Sequence, residues 1–279
     1  MTATTQAATA AARRLARPRP VRGGGAQRFV ADLLSVAGRA TRQLRRELAF
    51  VIPALVIPIF FYAVNVGSLE GIAAAAAPGF NVRAFQLPVA IIFAVTGVSR
   101  ANALVQDISG GYFERLLLTP VNRLALLLGL MAADFVLIIA LSLPVILMGW
   151  ITGVTFVTGI PGILAFILMA ALWGIAFNGF PYAIALKTGS PSAVGASFIL
   201  FFPFAFLTTA YVPAQALSGW LAAIAQFNPV TYVLAGLRSL ITVGWDAQSI
   251  GGALLASALV AAVSLSLALA ALRGRVSNG

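Results

Sequence analysis

Residues 124–148 read LALLLGLMAADFVLIIALSLPVILM, an apolar run broken by a single charge, Asp134. At a rise of about 1.5 Å per residue, a helix of this length crosses the roughly 30 Å hydrocarbon core of a bilayer. Working outward, five more segments have comparable length and character: 48–66, 86–106, 160–186, 193–212 and 250–272. Pro53, Pro58, Pro144, Pro181 and Pro203 fall inside them, which membrane helices tolerate when neighbouring groups satisfy the freed carbonyls. Across all 279 residues, 61% are hydrophobic, 9% are charged and the mean hydropathy is +0.99. A soluble domain carries about 25% charged residues to cover its surface, so the solvent for most of this chain is lipid. The expected fold is an all-α membrane protein of six transmembrane helices over residues 48–275.

The net charge of +11 is unevenly placed, with ten of the eighteen Lys and Arg residues before residue 47. Residues 1–27 are rich in Ala, Thr, Arg, Pro and Gly, the composition of a disordered basic tail. The first long apolar run starts near residue 48, too far behind the charges for a secretory signal. No aromatic residues interleave with the arginines of residues 1–27, so anionic lipid headgroups, not nucleic acid, are the expected partner. In residues 28–47, Phe29, Leu33, Val36, Ala40 and Leu44 recur at spacings of three and four among arginines. That pattern predicts an amphipathic helix lying in the headgroup layer. With the amino terminus inside, the cytoplasmic segments hold fifteen basic residues, including Arg115, Arg123, Lys187, Arg273 and Arg275, whereas the outer loops hold Arg83 and Arg238. The positive-inside rule then puts both termini in the cytoplasm.

Two connections stand apart. Residues 106–123 are too polar to span, and 213–249 contain two amphipathic pieces, 214–227 and 231–243, around Asn228-Pro229. Each piece is too short to cross, which predicts a re-entrant or interfacial pair on the outer side.

Familiar catalytic chemistry is excluded. The chain has no cysteine and no histidine, which removes thiol nucleophiles, Cys/His metal sites and Ser-His-Asp arrangements. It also lacks a G-x-x-x-x-G-K-[ST] phosphate loop. The expectation is no catalytic residue, no metal and no cofactor on this chain.

Residues 111–125 read GYFERLLLTPVNRLA; later come AYVP at 210–213, Gly219-Trp220, FNPVTY at 227–232 and LRSL at 237–240. In these motifs and their order, the chain over about residues 40–275 resembles type-2 ABC exporter permeases, in particular the daunorubicin/doxorubicin-resistance permease branch. The tail is longer and richer in arginine than that family's, and the segment before the first span lacks its aspartate-proline. The resemblance implies a second permease subunit and two copies of an ABC ATPase that hold ATP and Mg. It also implies a hydrophobic or amphipathic cargo moved outward, a drug-like natural product or a lipid or glycolipid. It makes 106–123 the segment that receives the ATPase's movement, through Tyr112, Phe113, Glu114, Arg115, Leu116, Leu117, Thr119, Pro120 and Arg123. Leu116, Leu117 and Leu118 are expected to form an apolar ridge with Glu114, Arg115 and Arg123 at its rim. Pro120 is expected to end this helix, and Thr119 to cap the next.

Charges inside spans are costly and usually paired or functional. Arg100 lies about 10 Å deeper than Asp107, and Asp134 about 16 Å deeper than Arg123. These matching depths on antiparallel spans predict a buried Arg100–Asp134 pair; the alternative makes Asp134 a proton or substrate site. Phe198, Phe201 and Phe202 share one helical face; in the family resembled, spans two and five line the pathway, which turns this face toward cargo. Lipid contact or packing explains the same stripe. Two other functions compete. An ion-driven secondary transporter typically shows internal repeats and polar midplane sites, whereas an intramembrane enzyme needs clustered carboxylates or histidines. Neither pattern is visible here.

Overall fold

A computed structural model of the chain describes residues 25–44, 48–96, 98–118 and 122–277. Nearly all of the expected tail, together with Thr119 and Pro120, lies outside these residues, and the side chains of Leu117 and Arg123 are likewise not described. The described elements are α1 (Gly25–Leu44), α2 (Leu48–Ala76), α3 (Val82–Thr96), α4 (Ala101–Ser109), α5 (Tyr112–Leu117), α6 (Arg123–Ile151) and α7 (Gly159–Thr188). They continue with α8 (Pro191–Ala196), a 3₁₀ turn (Ser197–Leu200), α9 (Phe201–Phe206), α10 (Gly219–Ala225), α11 (Pro229–Thr242) and α12 (Ala247–Ser277). In hydrocarbon every backbone polar group needs a partner within the protein, which leaves helices as the spanning form for such a chain.

Five stretches among the described residues are long and apolar enough to cross a membrane: Ala54–Ala76, Val82–Ser109, Leu124–Ile151, Gly159–Thr188 and Ala247–Arg275. The first expected span is displaced, since its helix runs ten residues past position 66 to Ala76. The second is broken after Thr96 and resumes at Ala101. The fifth differs most. Only Pro191–Phe206 is helical, sixteen residues or about 24 Å, and the chain then passes through bends before the outer pair. That pair, α10 and α11, is bent by 80°. The second helix of the pair, α11, packs into the bundle, with Val233, Leu237 and Leu240 fully buried.

Small residues set how closely the helices approach. A Cβ on Gly179 of α7 would lie 2.3 Å from the Ser264 Oγ of α12, so only glycine fits that crossing. There the Ser264 hydroxyl donates to the Ala176 carbonyl. Similarly, Gly236 of α11 faces Ala253 of α12 at 2.6 Å from its would-be Cβ. Gly129 of α6 receives Val36 and the Leu33 carbonyl of α1, at 2.7 and 3.1 Å from a would-be Cβ. The amphipathic helix is thus docked on the third span, and Asp32 Oδ2 accepts from the Asn122 amide at 3.3 Å. Asn122 itself caps α6, its Oδ1 accepting from Leu124 and Ala125. The cap expected of Thr119 therefore belongs to Asn122, whose side chain reaches the two unpaired amides of the first turn.

Two cores result. One joins Leu87, Ile91, Ile138, Trp173, Phe201 and Leu237. The other joins Leu104, Phe113, Leu127, Tyr182, Leu186 and Leu272 beneath α5.

Candidate functional site

The short helix α5 starts at Gly111, whose φ of 68° lets the chain reverse out of α4. Phe113, 1% exposed, is its anchor in the core beneath, and Leu116 packs inward beside it. The expected ridge of three leucines is therefore corrected: at helical spacing, 116 and 118 lie on different sides. Leu118 is 87% exposed. It points away from the bundle, and the Tyr112 and Arg115 side chains are also exposed. Glu114 pairs with Arg275 of α12 at 3.2 Å, and Arg115 Nε donates to the Gly111 carbonyl at 3.2 Å. The side chains that α5 exposes are those of Tyr112, Arg115 and Leu118, together with Glu114 in its pair.

A second constellation sits at the break in the second span. Asp134 is fully buried; its Oδ1 accepts from the Arg100 amide at 3.0 Å and its Oδ2 from Asn178 Nδ2 at 3.1 Å. The Arg100 guanidinium adds a favourable charge near the carboxylate. Structure thus brings Arg100 and Asp134 together, with the backbone of Arg100 as one explicit link. Asn178 also donates to the Val98 carbonyl at 3.0 Å, a group that the break would leave unpaired. One turn away, Trp173 Nε1 donates to Thr96 Oγ1 at 2.9 Å, and Thr96 in turn to the Ile92 carbonyl. The polar residues of the third and fourth spans therefore hold the broken ends of the second. Sequence reasoning found the charges and missed Asn178. Its signal was a lone amide in an otherwise apolar run.

On the opposite side of the bundle, residues 207–213 are held by side chains from elsewhere. Asn228 Nδ2 donates to the Phe204 and Leu207 carbonyls at 2.9 and 2.8 Å, while its Oδ1 caps α11 through the Val230 amide. Arg238 bonds the Thr209 carbonyl at 2.9 Å, the Thr209 hydroxyl at 3.1 Å and the Phe85 carbonyl at 3.2 Å. Its guanidinium lies 3.5 Å over the Phe85 ring. Beyond α11, Asp246 begins α12, and donors from the Ser249 side chain and amide hold its carboxyl below the usual carboxylate range.

The phenylalanine stripe is divided. The 3₁₀ turn over Ser197–Leu200 changes the helical phase. Phe201 is buried against Phe93 and Phe177, at 5.3 and 5.7 Å between centroids. Phe202 is exposed and stacks on Phe206 at 5.8 Å, and Phe198 bridges the two environments. One continuous cargo-facing stripe of three is not what the structure presents.

Residues 33–242 match the ABC-2 type transporter family. Over 214 residues the chain is 27% identical to a probable doxorubicin resistance ABC transporter permease protein from Mycobacterium tuberculosis, an alignment spanning 76% of this chain and 78% of that protein. Over 173 residues it is 27% identical to a daunorubicin resistance ABC transporter permease protein from Streptomyces coeruleorubidus, spanning 61% of this chain and 58% of that one. The matched stretch runs from α1 through the α5 segment and the buried polar centre to the end of α11. The chain therefore belongs to the ABC-2 type transporter family, as a multi-pass membrane permease whose ATPase resides on separate subunits.

Proposed function

We propose that this permease pairs with a second permease subunit, the same chain or a relative, and with two copies of an ABC ATPase, to export a hydrophobic or amphipathic molecule. A drug-like natural product is the leading cargo, in keeping with the resistance proteins it is similar to; a lipid or glycolipid comes next. ATP and Mg bind on the ATPase. The chain sits in the bacterial inner membrane with both termini in the cytoplasm, a reading supported by the fifteen-to-two distribution of basic residues between its loops. An ion-driven transporter is disfavoured by the family match.

The observation that carries this reading is α5. It is anchored by Phe113 and presents Tyr112, Arg115 and Leu118 outward on the side of the bundle that the basic residues assign to the cytoplasm. An exposed apolar residue flanked by an aromatic and an arginine suits a groove on a partner protein. Co-purification in detergent with its partner ABC ATPase tests this. The wild-type chain is expected to retain the ATPase, and Leu118→Asp and Arg115→Ala to weaken the complex by about tenfold or more, as when a central contact is lost. Wild-type association untouched by both substitutions would remove α5 from the interface.

A further inference from the structure

Arg275 stands near the end of α12, beyond the stretch that matches the family. Its fork nevertheless makes contacts to two other elements. Nη2 meets Glu114 Oε1 of α5 at 3.2 Å, and Nη1 donates to the Leu186 carbonyl in the last turn of α7 at 3.2 Å. Carbonyls in a helix's last turn lack intrahelical partners, and the helix dipole favours a cation there. α7 ends at Gly189 with φ +61°, where a Cβ would sit 3.9 Å from Arg275 Nη1 and equally close to Ile108 of α4. The guanidinium thus lies where the ends of α4, α5, α7 and α12 converge.

Half-exposed ion pairs contribute little to stability, and the side chains here are 27% and 48% exposed. The geometry suits transmission better. Phe113 ties α5 to the core beneath it, and the chain itself ties α5 to α4. Beyond that packing, a polar link from α5 to the ends of α7 and α12 runs through Glu114 and Arg275. A planar fork can hold a carboxylate and a carbonyl together, where lysine offers one point charge.

We propose that Arg275 is a positioning residue that passes displacement of α5 to α7 and α12, so that ATP turnover on the partner moves those spans. The proposal rests on α5 receiving the ATPase. It also makes Glu114 an internal link, distinct from the outward contacts Tyr112, Arg115 and Leu118.

The test is made on the permease–ATPase complex in inverted vesicles, with ATP turnover and ATP-driven doxorubicin uptake measured side by side. Arg275→Ala is expected to keep the ATPase bound while uptake per ATP falls at least about fivefold. Arg275→Lys should be intermediate. Adding Glu114→Ala to Arg275→Ala should cause little further loss, because both remove one link. Unchanged uptake per ATP in Arg275→Ala, or a further multiplicative loss in the double variant, overturns the proposal.

A second measurement needs no ATPase. The chain contains no cysteine, so spin labels at Leu118→Cys and Lys187→Cys report the spacing between α5 and the end of α7 in the permease alone. Arg275→Ala should broaden that distance distribution, and an unchanged distribution contradicts the link. Failure of the wild type to bind ATPase, with the broadening present, would overturn the docking reading and leave the link intact.

Discussion

Replacing Asp134 by alanine is expected to remove most of the folded, detergent-extractable protein. The substitution leaves the Arg100 amide and charge and one Asn178 donor facing a void inside the membrane. Breaking a buried charge pair from one side costs about 3–5 kcal/mol, a large part of the roughly 5–15 kcal/mol that holds a typical domain together. Arg100→Gln alone should also be severe. The double variant Arg100→Gln with Asp134→Asn should recover folded protein above either single charge removal, since no lone charge then stays buried. Asn178→Leu should be milder, exposing the unpaired Val98 carbonyl while leaving the carboxylate its Arg100 contact. Size-exclusion yield and thermal unfolding in detergent measure the series. Strictly additive losses for Arg100 and Asp134 would mean that the two do not act as a pair.

Arg238→Ala is expected to release the outer segment. Three acceptors lose their donor and the stack on Phe85 disappears; at about 1.5–3 kcal/mol for each charged hydrogen bond and up to about 2 for the stacking, less what water restores to the acceptors, a loss of at least about 3 kcal/mol follows. Hydrogen exchange across residues 207–213 should quicken by about a hundredfold, because 1.4 kcal/mol corresponds to about tenfold. Arg238→Lys should not restore protection, since one ammonium cannot reach the Thr209 and Phe85 carbonyls while stacking on the ring. Exchange at the wild-type rate in the alanine variant would show that Asn228 and Gln86, whose Nε2 donates to the Ala210 carbonyl at 3.3 Å, hold the segment without Arg238.

Much of this architecture was legible in the sequence, and the limits are physical. Spans are readable because length and apolarity alone let a helix cross lipid, and the Arg100–Asp134 match was readable because depth is a matter of counting residues. Which side of a helix faces its neighbours was not. Spans such as α7 are apolar all round, so no periodicity marks the buried side. For the same reason the docking of α1 on Gly129 and the fit of Gly179 against Ser264 stayed hidden; a glycine in a membrane helix looks the same whether it meets a side chain or lipid. The break after Thr96 carries no proline, and its stabilisers, Asp134 and Asn178, come from other spans. The leucine ridge of α5 failed because three consecutive residues cannot share one helical face. The fifth span was read too long because the apolar run continues through residues 207–212, where the chain is held by Asn228 and Arg238 in place of its own ladder.

The central claim is that a separate ATPase drives this permease by pressing on α5. A photo-crosslinking residue at Leu118, 87% exposed on α5, tests it most directly, with Phe227, 88% exposed on the opposite side of the bundle, as the control. Illumination of the intact complex is predicted to join the ATPase to position 118 and not to position 227. Crosslinks from position 227, or none from position 118 in a complex that co-purifies, would contradict the account.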